Sequence, residues 1–426
     1  MGNIIRMNLT NKTVTIIGAR RSGIAAANLV CRQGGVAKIS DNGSYDSIRK
    51  DLEKLHSPEK VKVEWGAHHR EFIEASDLIV LSPGVPLRAL PVEWAKVKGI
   101  PVLGEIELAW RFCPLPVVAV TGSNGKTTVV TLIAQILQKA GHRVSLCGNV
   151  GTAFSGHVLD IQDKDVVVLE VSSFQLESIV DFRPHVAVFL NFSENHLDRH
   201  RDLNEYWDAK TRIFLNQNPE DYALLNGEDP RMHWLAERLK AKVVFYNSPD
   251  ILAKGLTQNP NHLAALAVAK ILGVEEKTAL SVFKEFKGVE HRLEWVRSLQ
   301  GVHFINDSKA TTAEACRWAL QSFDHSVVMI CGGRDKNIDF SPLRDLVQAK
   351  VKKMLVIGES REKIKRTFAD VVTVEECDSL KKAVQGALSS ASLGDYVVFS
   401  PMCASFDMFA NFEERGRVFK KIVEEL

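Results

Sequence analysis

Short apolar runs alternate with amphipathic segments of helical length along the whole chain. Apolar runs of about four to eight residues, bounded by Gly, Asp or Pro, predict buried strands, and the longer segments between them predict helices. The runs are continuous rather than alternating, so both faces of each strand are covered. That is the mark of parallel sheets built from βαβ units. The pattern falls into three blocks. The first holds VTIIG (Val14–Gly18), VAKISD (Val36–Asp41) and DLIVLSPG (Asp77–Gly84). The second follows Pro114-Leu115-Pro116. It holds PVVAVTG (Pro116–Gly122), VSLCG (Val144–Gly148), DVVVLEV (Asp165–Val171), HVAVFLN (His185–Asn191), DYALLNG (Asp221–Gly227) and KVVFY (Lys242–Tyr246). The third begins between Gly288 and Val302. It holds VHFIND (Val302–Asp307), HSVVMICGG (His325–Gly333), KKMLVIGE (Lys352–Glu359), VVTVEE (Val371–Glu376) and DYVVFSP (Asp395–Pro401). Ligands of such sheets gather beyond the carboxyl ends of the strands, so the residues after each run are the candidates for chemistry.

Length agrees with three blocks: 426 residues, at roughly 150 per domain, predict about three domains. Lys plus Arg number 54 against 52 Asp plus Glu, a net charge of +2. That balance gives no electrostatic case for nucleic acid or a membrane surface, yet it permits a local basic pocket for an anionic small molecule. Seven scattered cysteines form no CxxC pair, which predicts buried free thiols in a reducing cytoplasm. No apolar run reaches the ~18 residues of a membrane span. The opening MGNIIRMNLTNKT lacks the apolar core of a secretory signal, and Arg6 breaks a myristoylation pattern. A cytoplasmic protein is expected.

The sharpest local signal is AVTGSNGKTTVVTLIAQIL. A strand ends at Val120, a small-residue turn follows (Gly122, Ser123, Asn124, Gly125), and Lys126, Thr127 and Thr128 open a helix. Small residues let backbone N–H groups approach phosphate oxygens, and the helix start adds positive potential. Lys126 can reach the β- and γ-phosphates of a nucleotide, and a hydroxyl of Thr127 or Thr128 can ligate Mg²⁺. The strict GxxxxGK[ST] pattern asks for Gly where Val120 stands, so only its second half matches. Glu170 ends the run DVVVLE, placed to hold Mg²⁺. His196 and His200 lie four apart in NFSENHLDRH, a spacing that invites zinc, but HExxH is absent and no third ligand stands out. Lys210 lies in WDAKTRIF, where a solvated or ion-paired lysine is the plain alternative. Asp307, with Arg292 before it and Lys309 after it, sits between a strand and a helix, a second place for an anion. Lys336 in GGRDKNIDF can pair with a carboxylate, and Ser405 in SPMCASFDMFANFEERG can donate a hydrogen bond. The stripe Phe406, Phe409, Phe412 fits packing as well as binding. In the first block, Gly18 to Gly23 is GxxxxG rather than GxGxxG, which argues against a nicotinamide cofactor. The turn still suits a diphosphate, with Arg21 and Ser22 beside it. Asp41 and Asn42 end the next strand, and Ser82, Pro83 and Gly84 the one after.

Taken in order, TGSNGKTT, LEVSSFQLE, NHLDRH, the lysine of WDAKTRIF, HRLE, NDSKAT, GGRDKNIDF and SPMCASFDMFANFEERG resemble the Mur ligase family across all three blocks. The resemblance implies an α/β chain with three domains and mainly parallel sheets. These are a Rossmann-like UDP-sugar domain over 1–104, a P-loop ATP domain over 105–288 and a Rossmann-like amino-acid domain over 289–426. SSFQLE and ASFDMFANFEERG resemble the branch that adds D-glutamate to UDP-N-acetylmuramoyl-L-alanine through an acyl phosphate. The resemblance implies catalytic roles for Lys126, Glu170, His196 and Lys210. It implies ATP contacts from Gly122 to Thr128 and at Arg292, Asp307 and Lys309. UDP-sugar contacts are implied at Arg21, Ser22, Asp41, Asn42, Ser82, Pro83, Gly84, Asn149, Gln175 and His196. D-glutamate contacts are implied at Thr311, Lys336, Ser405, Phe406 and Phe412. Two Mg²⁺ ions are implied, held by Thr127, Glu170, His196 and Lys210, the last as a carbamate. Small molecules are the expected partners of a monomeric chain. The competing readings are a related ligase with another amino acid or acceptor, such as a folylpolyglutamate-type enzyme, and a nucleotide-binding scaffold without turnover.

Overall fold

The computed structural model describes residues 7–163, 165–193, 199–248, 252, 255–286, 288–335 and 338–426. Contacts divide the chain into two compact units, Met1–Phe286 and Lys287–Leu426.

The first unit carries two sheets. Strands β1 (Thr13–Ile17), β2 (Val36–Asp41), β3 (Lys62–Trp65), β4 (Leu78–Leu81) and β5 (Val102–Gly104) form the first, in the order β3-β2-β1-β4-β5. Strands β6 (Val117–Thr121), β7 (Arg143–Gly148), β8 (Asp165–Glu170), β9 (Val186–Phe189), β10 (Tyr222–Asn226) and β11 (Lys242–Tyr246) form the second, in the order β11-β10-β9-β6-β8-β7. Every neighbouring pair in both is parallel. Strand order reverses direction at β1 in one and at β6 in the other, and such switch points open a crevice at the carboxyl ends. Both signature turns, Gly18–Ser22 and Gly122–Lys126, follow those two strands.

A shared core explains why two sheets make one unit. One hydrophobic cluster runs from Val14, Ile16 and Leu29 through Ile106, Leu108 and Phe154 to Val167, Leu169 and Phe189. Helix Glu105–Trp110 carries the chain from one sheet to the other and buries two carboxylates there. Glu105 accepts from the Ser155 backbone and hydroxyl, and Glu107 accepts from the backbone N–H groups of Val180, Asp181 and Phe182 and from Arg111. On its other face the second sheet packs helix Lys126–Lys139 through Val129, Val130, Ile133 and Leu137.

The second unit carries β12 (Glu294–Leu299), β13 (Val302–Asn306), β14 (Val327–Gly332), β15 (Val351–Ile357), β16 (Thr373–Glu376) and β17 (Tyr396–Phe399), in the order β12-β13-β17-β14-β15-β16. The described neighbouring pairs of this sheet are parallel, except that β12 runs antiparallel to β13. The two are joined through Gln300 and Gly301, both at positive φ (52° and 77°), the pairing a tight hairpin turn requires. Strands β3, β5 and β12 were not expected from the apolar runs: β3 and β12 interleave charges, and β5 spans three residues.

Candidate active site

The phosphate loop is built as its residues dictate. Gly125 caps helix Lys126–Lys139 at φ +81°, and Gly122 sits at φ +152°. A side chain at either place meets protein: an added Cβ lies 2.5 Å from Asn261 Oδ1 at Gly125 and 2.9 Å from Leu190 at Gly122. The segment after β9 grips the turn. The backbone N–H of Ser123 donates to the Asn191 carbonyl (3.0 Å), and that of Asn124 donates to Asn191 Oδ1 (2.9 Å). Ser123 Oγ accepts from the Ser193 backbone (3.0 Å) and meets the Tyr206 hydroxyl at 3.2 Å. Burial pushes that phenol up to about 12, so it stays a neutral hydrogen-bonding group.

Two lysines and one carboxylate converge on this loop. Lys126 donates to the carbonyls of Gly122 (2.8 Å) and Ser123 (2.9 Å). Lys210, 1% exposed, reaches across from helix Leu203–Thr211, donates to the same Gly122 carbonyl (2.8 Å) and lies over the Tyr206 ring. Burial lowers the Lys210 amine well below the lysine range. Lys126 pushes the same way, and Glu170 opposes. Glu170 ends β8, buried. Its Oε2 accepts from the Thr127 hydroxyl at 2.7 Å, and its Oε1 accepts from the Asn149 amide at 2.7 Å. Of the two threonines considered, Thr127 is therefore the one beside the carboxylate. Thr128 is half-buried one position on. His196 lies outside the described residues. Among the described residues, no group of three or more His, Cys, Asp or Glu side chains is arranged to hold a metal.

A cleft of about 510 Å³ opens at the carboxyl end of the first sheet. Arg21, Ser22, Asp41, Asn42, Ser82, Pro83, Gly84, Asn149 and Gln175, all expected around a UDP-sugar, line it together. Asn149 and Gln175 come from the second sheet, so that sheet walls one end, and the Asn149 side chain ties the cleft to Glu170. Two lining residues also hold the cleft together. The Arg21 guanidinium donates to the carbonyls of Gly151 (2.8 Å) and Asn149 (3.2 Å), so it joins the two sheets across the cleft. Asp41 accepts from the backbone N–H groups of Ala19 and Gly43, both at 2.7 Å, and so closes the turn after β1. Arg199 donates to the Gly84 carbonyl (2.7 Å) and packs over Phe174, linking the cleft wall to the segment after β9.

In the second unit, Asp307 is 4% exposed at the end of β13. It accepts from the Ser400 hydroxyl (2.8 Å) and the Leu293 backbone (3.2 Å). Burial raises it to about 7, against those hydrogen bonds and the nearby Arg292. Lys309 lies 5.8 Å from the centre of the Phe412 ring. Thr311 is half-buried, Ser405 is buried and Phe406 is 60% exposed. Lys336 lies outside the described residues.

Models of three domains match this chain in sequence order. The Mur ligase MurD-like N-terminal domain matches residues 12–104, the Mur ligase middle domain 120–305, and the Mur ligase glutamate ligase domain 291–403. Relatives named UDP-N-acetylmuramoylalanine--D-glutamate ligase match end to end. That of Geotalea uraniireducens is 38% identical over 99% of both chains, and that of Pelotomaculum thermopropionicum is 39% identical over 98% of this chain and 99% of its own. The chain belongs to the Mur ligase family. Solved Mur ligases share its fold. The MurF ligase of Thermotoga maritima in complex with ADP superposes with a TM-score of 0.59 at 16% identity, covering 100% of both chains. The UDP-N-acetylmuramate-alanine ligase of the same organism gives 0.57 at 18%, over 97% of this chain and 100% of that one.

Several residues that shape these turns, each within its own unit, escaped the sequence reading. Asn191, Ser193 and Tyr206 hold the phosphate loop, yet Asn and Ser at a strand end look like any turn. Arg415, 1% exposed, donates to the carbonyls of Ser308 (2.8 Å) and Cys403 (3.0 Å) and to Ser308 Oγ (3.1 Å). It thereby joins the turn after β13 to the one after β17. The only signal for it was its place in the quoted NFEERG stretch.

Proposed function

We propose that this Mur ligase uses ATP to join D-glutamate to the carboxylate of UDP-N-acetylmuramoyl-L-alanine, giving ADP and phosphate, a step of peptidoglycan precursor synthesis. Its full-length relatives carry that name. The geometric support is Asn149, a single side chain that lines the UDP-sugar cleft and donates to the carboxylate beside the phosphate loop. An acceptor lying in that cleft therefore has its far end next to a bound nucleotide.

A carboxylate is a poor electrophile, so it is activated first. Its oxygen attacks the γ-phosphorus, the bond to the β-phosphate oxygen breaks, and an acyl phosphate and ADP result. The amine of D-glutamate then attacks the acyl carbon, phosphate leaves with the bonding pair, and the nitrogen gives up a proton. Two anions meet in the first step, so fixed positive charge lowers its barrier. Lys126 and the N–H groups of the loop supply it. Thr127 and Glu170 fit a hard cation, offering a hydroxyl and a buried carboxylate oxygen 2.7 Å apart. Mg²⁺ bound there would neutralise charge on the phosphate oxygens, and His196 and carbamylated Lys210 are assigned to a second ion. The lowered Lys210 amine supports the carbamate, because the neutral form is the one that adds to CO₂, losing a proton to give the carbamate anion. Arg292, Asp307 and Lys309 are assigned to ATP. Thr311, Lys336, Ser405, Phe406 and Phe412 are assigned to D-glutamate, within functional domains 1–104, 105–288 and 289–426. A monomer in the cytoplasm, where ATP and the nucleotide sugar coexist, is the accompanying reading.

The test is ADP release with each substrate omitted in turn, and with D-glutamate replaced by L-glutamate, L-lysine or meso-diaminopimelate. Release and peptide product are expected only with both UDP-N-acetylmuramoyl-L-alanine and D-glutamate. Equal turnover with another amino acid would overturn the assignment.

A further inference from the structure

One residue of the cleft has no part in the chemistry above. His68 follows β3 and lines the cleft beside Asp41, Asn42 and Gly43. Its neighbour on β2, Ser40, is fully buried and decides where the ring carries its hydrogen. The Ser40 hydroxyl donates to Glu64 Oε1, and its oxygen lies 2.6 Å from His68 Nδ1. A hydroxyl has one proton to give, and here the carboxylate, an acceptor, takes it. The ring nitrogen must therefore be the donor, so the hydrogen sits on Nδ1. In a neutral imidazole the other nitrogen is then an acceptor. Burial holds the ring below the ordinary histidine range and His69 adds to this, against the pull of Glu64 and Asp41, which favours that neutral form. Nε2 has no protein partner among the described residues and is not one of the sealed-in polar atoms, so its lone pair is open to the solvent side, where the ring lines the cleft.

The cleft has a direction. Asn149 and Gln175 of the second sheet wall one end, and the β1 turn with its helix start, suited to a diphosphate, lies in the middle. The ends of β2 and β3 are on the far side in the order β3-β2-β1-β4, where a nucleoside would fall. Resting on the UDP-sugar reading above, we propose that His68 is a specificity-determining residue whose Nε2 accepts a hydrogen bond from the N3–H of uracil. Cytosine carries a lone pair at that nitrogen, so two acceptors would face each other. A site built to pair with an N–H rejects the partner that lacks it.

Calorimetric dissociation constants of UDP and CDP for the full chain test this without turnover. The wild type is expected to prefer UDP by roughly tenfold or more. In His68→Phe that preference should shrink to about threefold or less. His68→Gln, which regains a carbonyl acceptor, should restore part of it, and Ser40→Ala, which releases the ring tautomer, should weaken it. An unaltered preference in His68→Phe, or equal binding of UDP and CDP by the wild type, would overturn the proposal. The Gln and Ala variants carry the test if the Phe variant fails to fold. A wild type that selects UDP but makes no peptide product would sink the ligase reading and leave this one standing.

Discussion

Glu170 accepts a hydrogen bond from the Thr127 hydroxyl on one oxygen and from the Asn149 amide on the other. Removing either donor should therefore disturb two substrates at once. Asn149→Ala is expected to raise KM for the UDP-sugar and to lower kcat by roughly tenfold, since a buried charged acceptor loses a hydrogen bond. Lys126→Ala removes the lysine that the phosphate loop itself supplies, and ADP formation should fall by about a hundredfold or more. Asp307 offers a separate measurement. Its folded value of about 7 lies above the ordinary 3.8. The folded state therefore holds this proton more tightly. The stability it contributes is complete below the unfolded value and is lost as pH rises through about 7. Melting of wild type against Asp307→Asn should show the variant gaining relative stability between pH 5 and pH 8, and a difference independent of pH would refute the buried titration. At this scale the sequence was legible where chemistry needs a rare residue type at a strand end, as with Lys126, Glu170 and Asp307. It was silent on Asn191, Tyr206 and His68, whose roles exist only once distant strands lie side by side.

Elements were legible because burial on both faces leaves an unbroken apolar run, and fourteen such runs each overlap an observed strand. Those missed sit at the margins. β3 and β12 pair with only one neighbour or border the solvent, so charges such as Lys62, Glu64, Glu294 and Arg297 are tolerated in them. The turn after β6 allows a test at this scale. Gly125→Ala forces a left-handed residue to carry a Cβ that meets Asn261 Oδ1 at 2.5 Å. A loss of roughly 1–3 kcal/mol in stability is expected from such a site, together with loss of nucleotide affinity, read by melting with and without ADP.

Across the whole molecule, what the apolar pattern did not show is that the first two blocks fold around one core. Glu105 and Glu107 are the reason in part. Carboxylates in a helix read as solvent-facing, yet both are buried against backbone N–H groups of the neighbouring layer. Glu107→Gln keeps the shape but loses the charge that satisfies three such groups and Arg111. It should cost about 2–4 kcal/mol in the unit Met1–Phe286, checked by urea unfolding.

The seven unpaired cysteines turn this into a convenient reporter. Only Cys31 is partly exposed, while Cys113, Cys147, Cys316, Cys331, Cys377 and Cys403 are buried. A maleimide dye should attach at one point on the native molecule, and each further label taken up should count a region that has come open. Because two of the shielded thiols lie before Phe286 and four after Lys287, mass spectrometry of the labelled peptides would tell which unit loosens first.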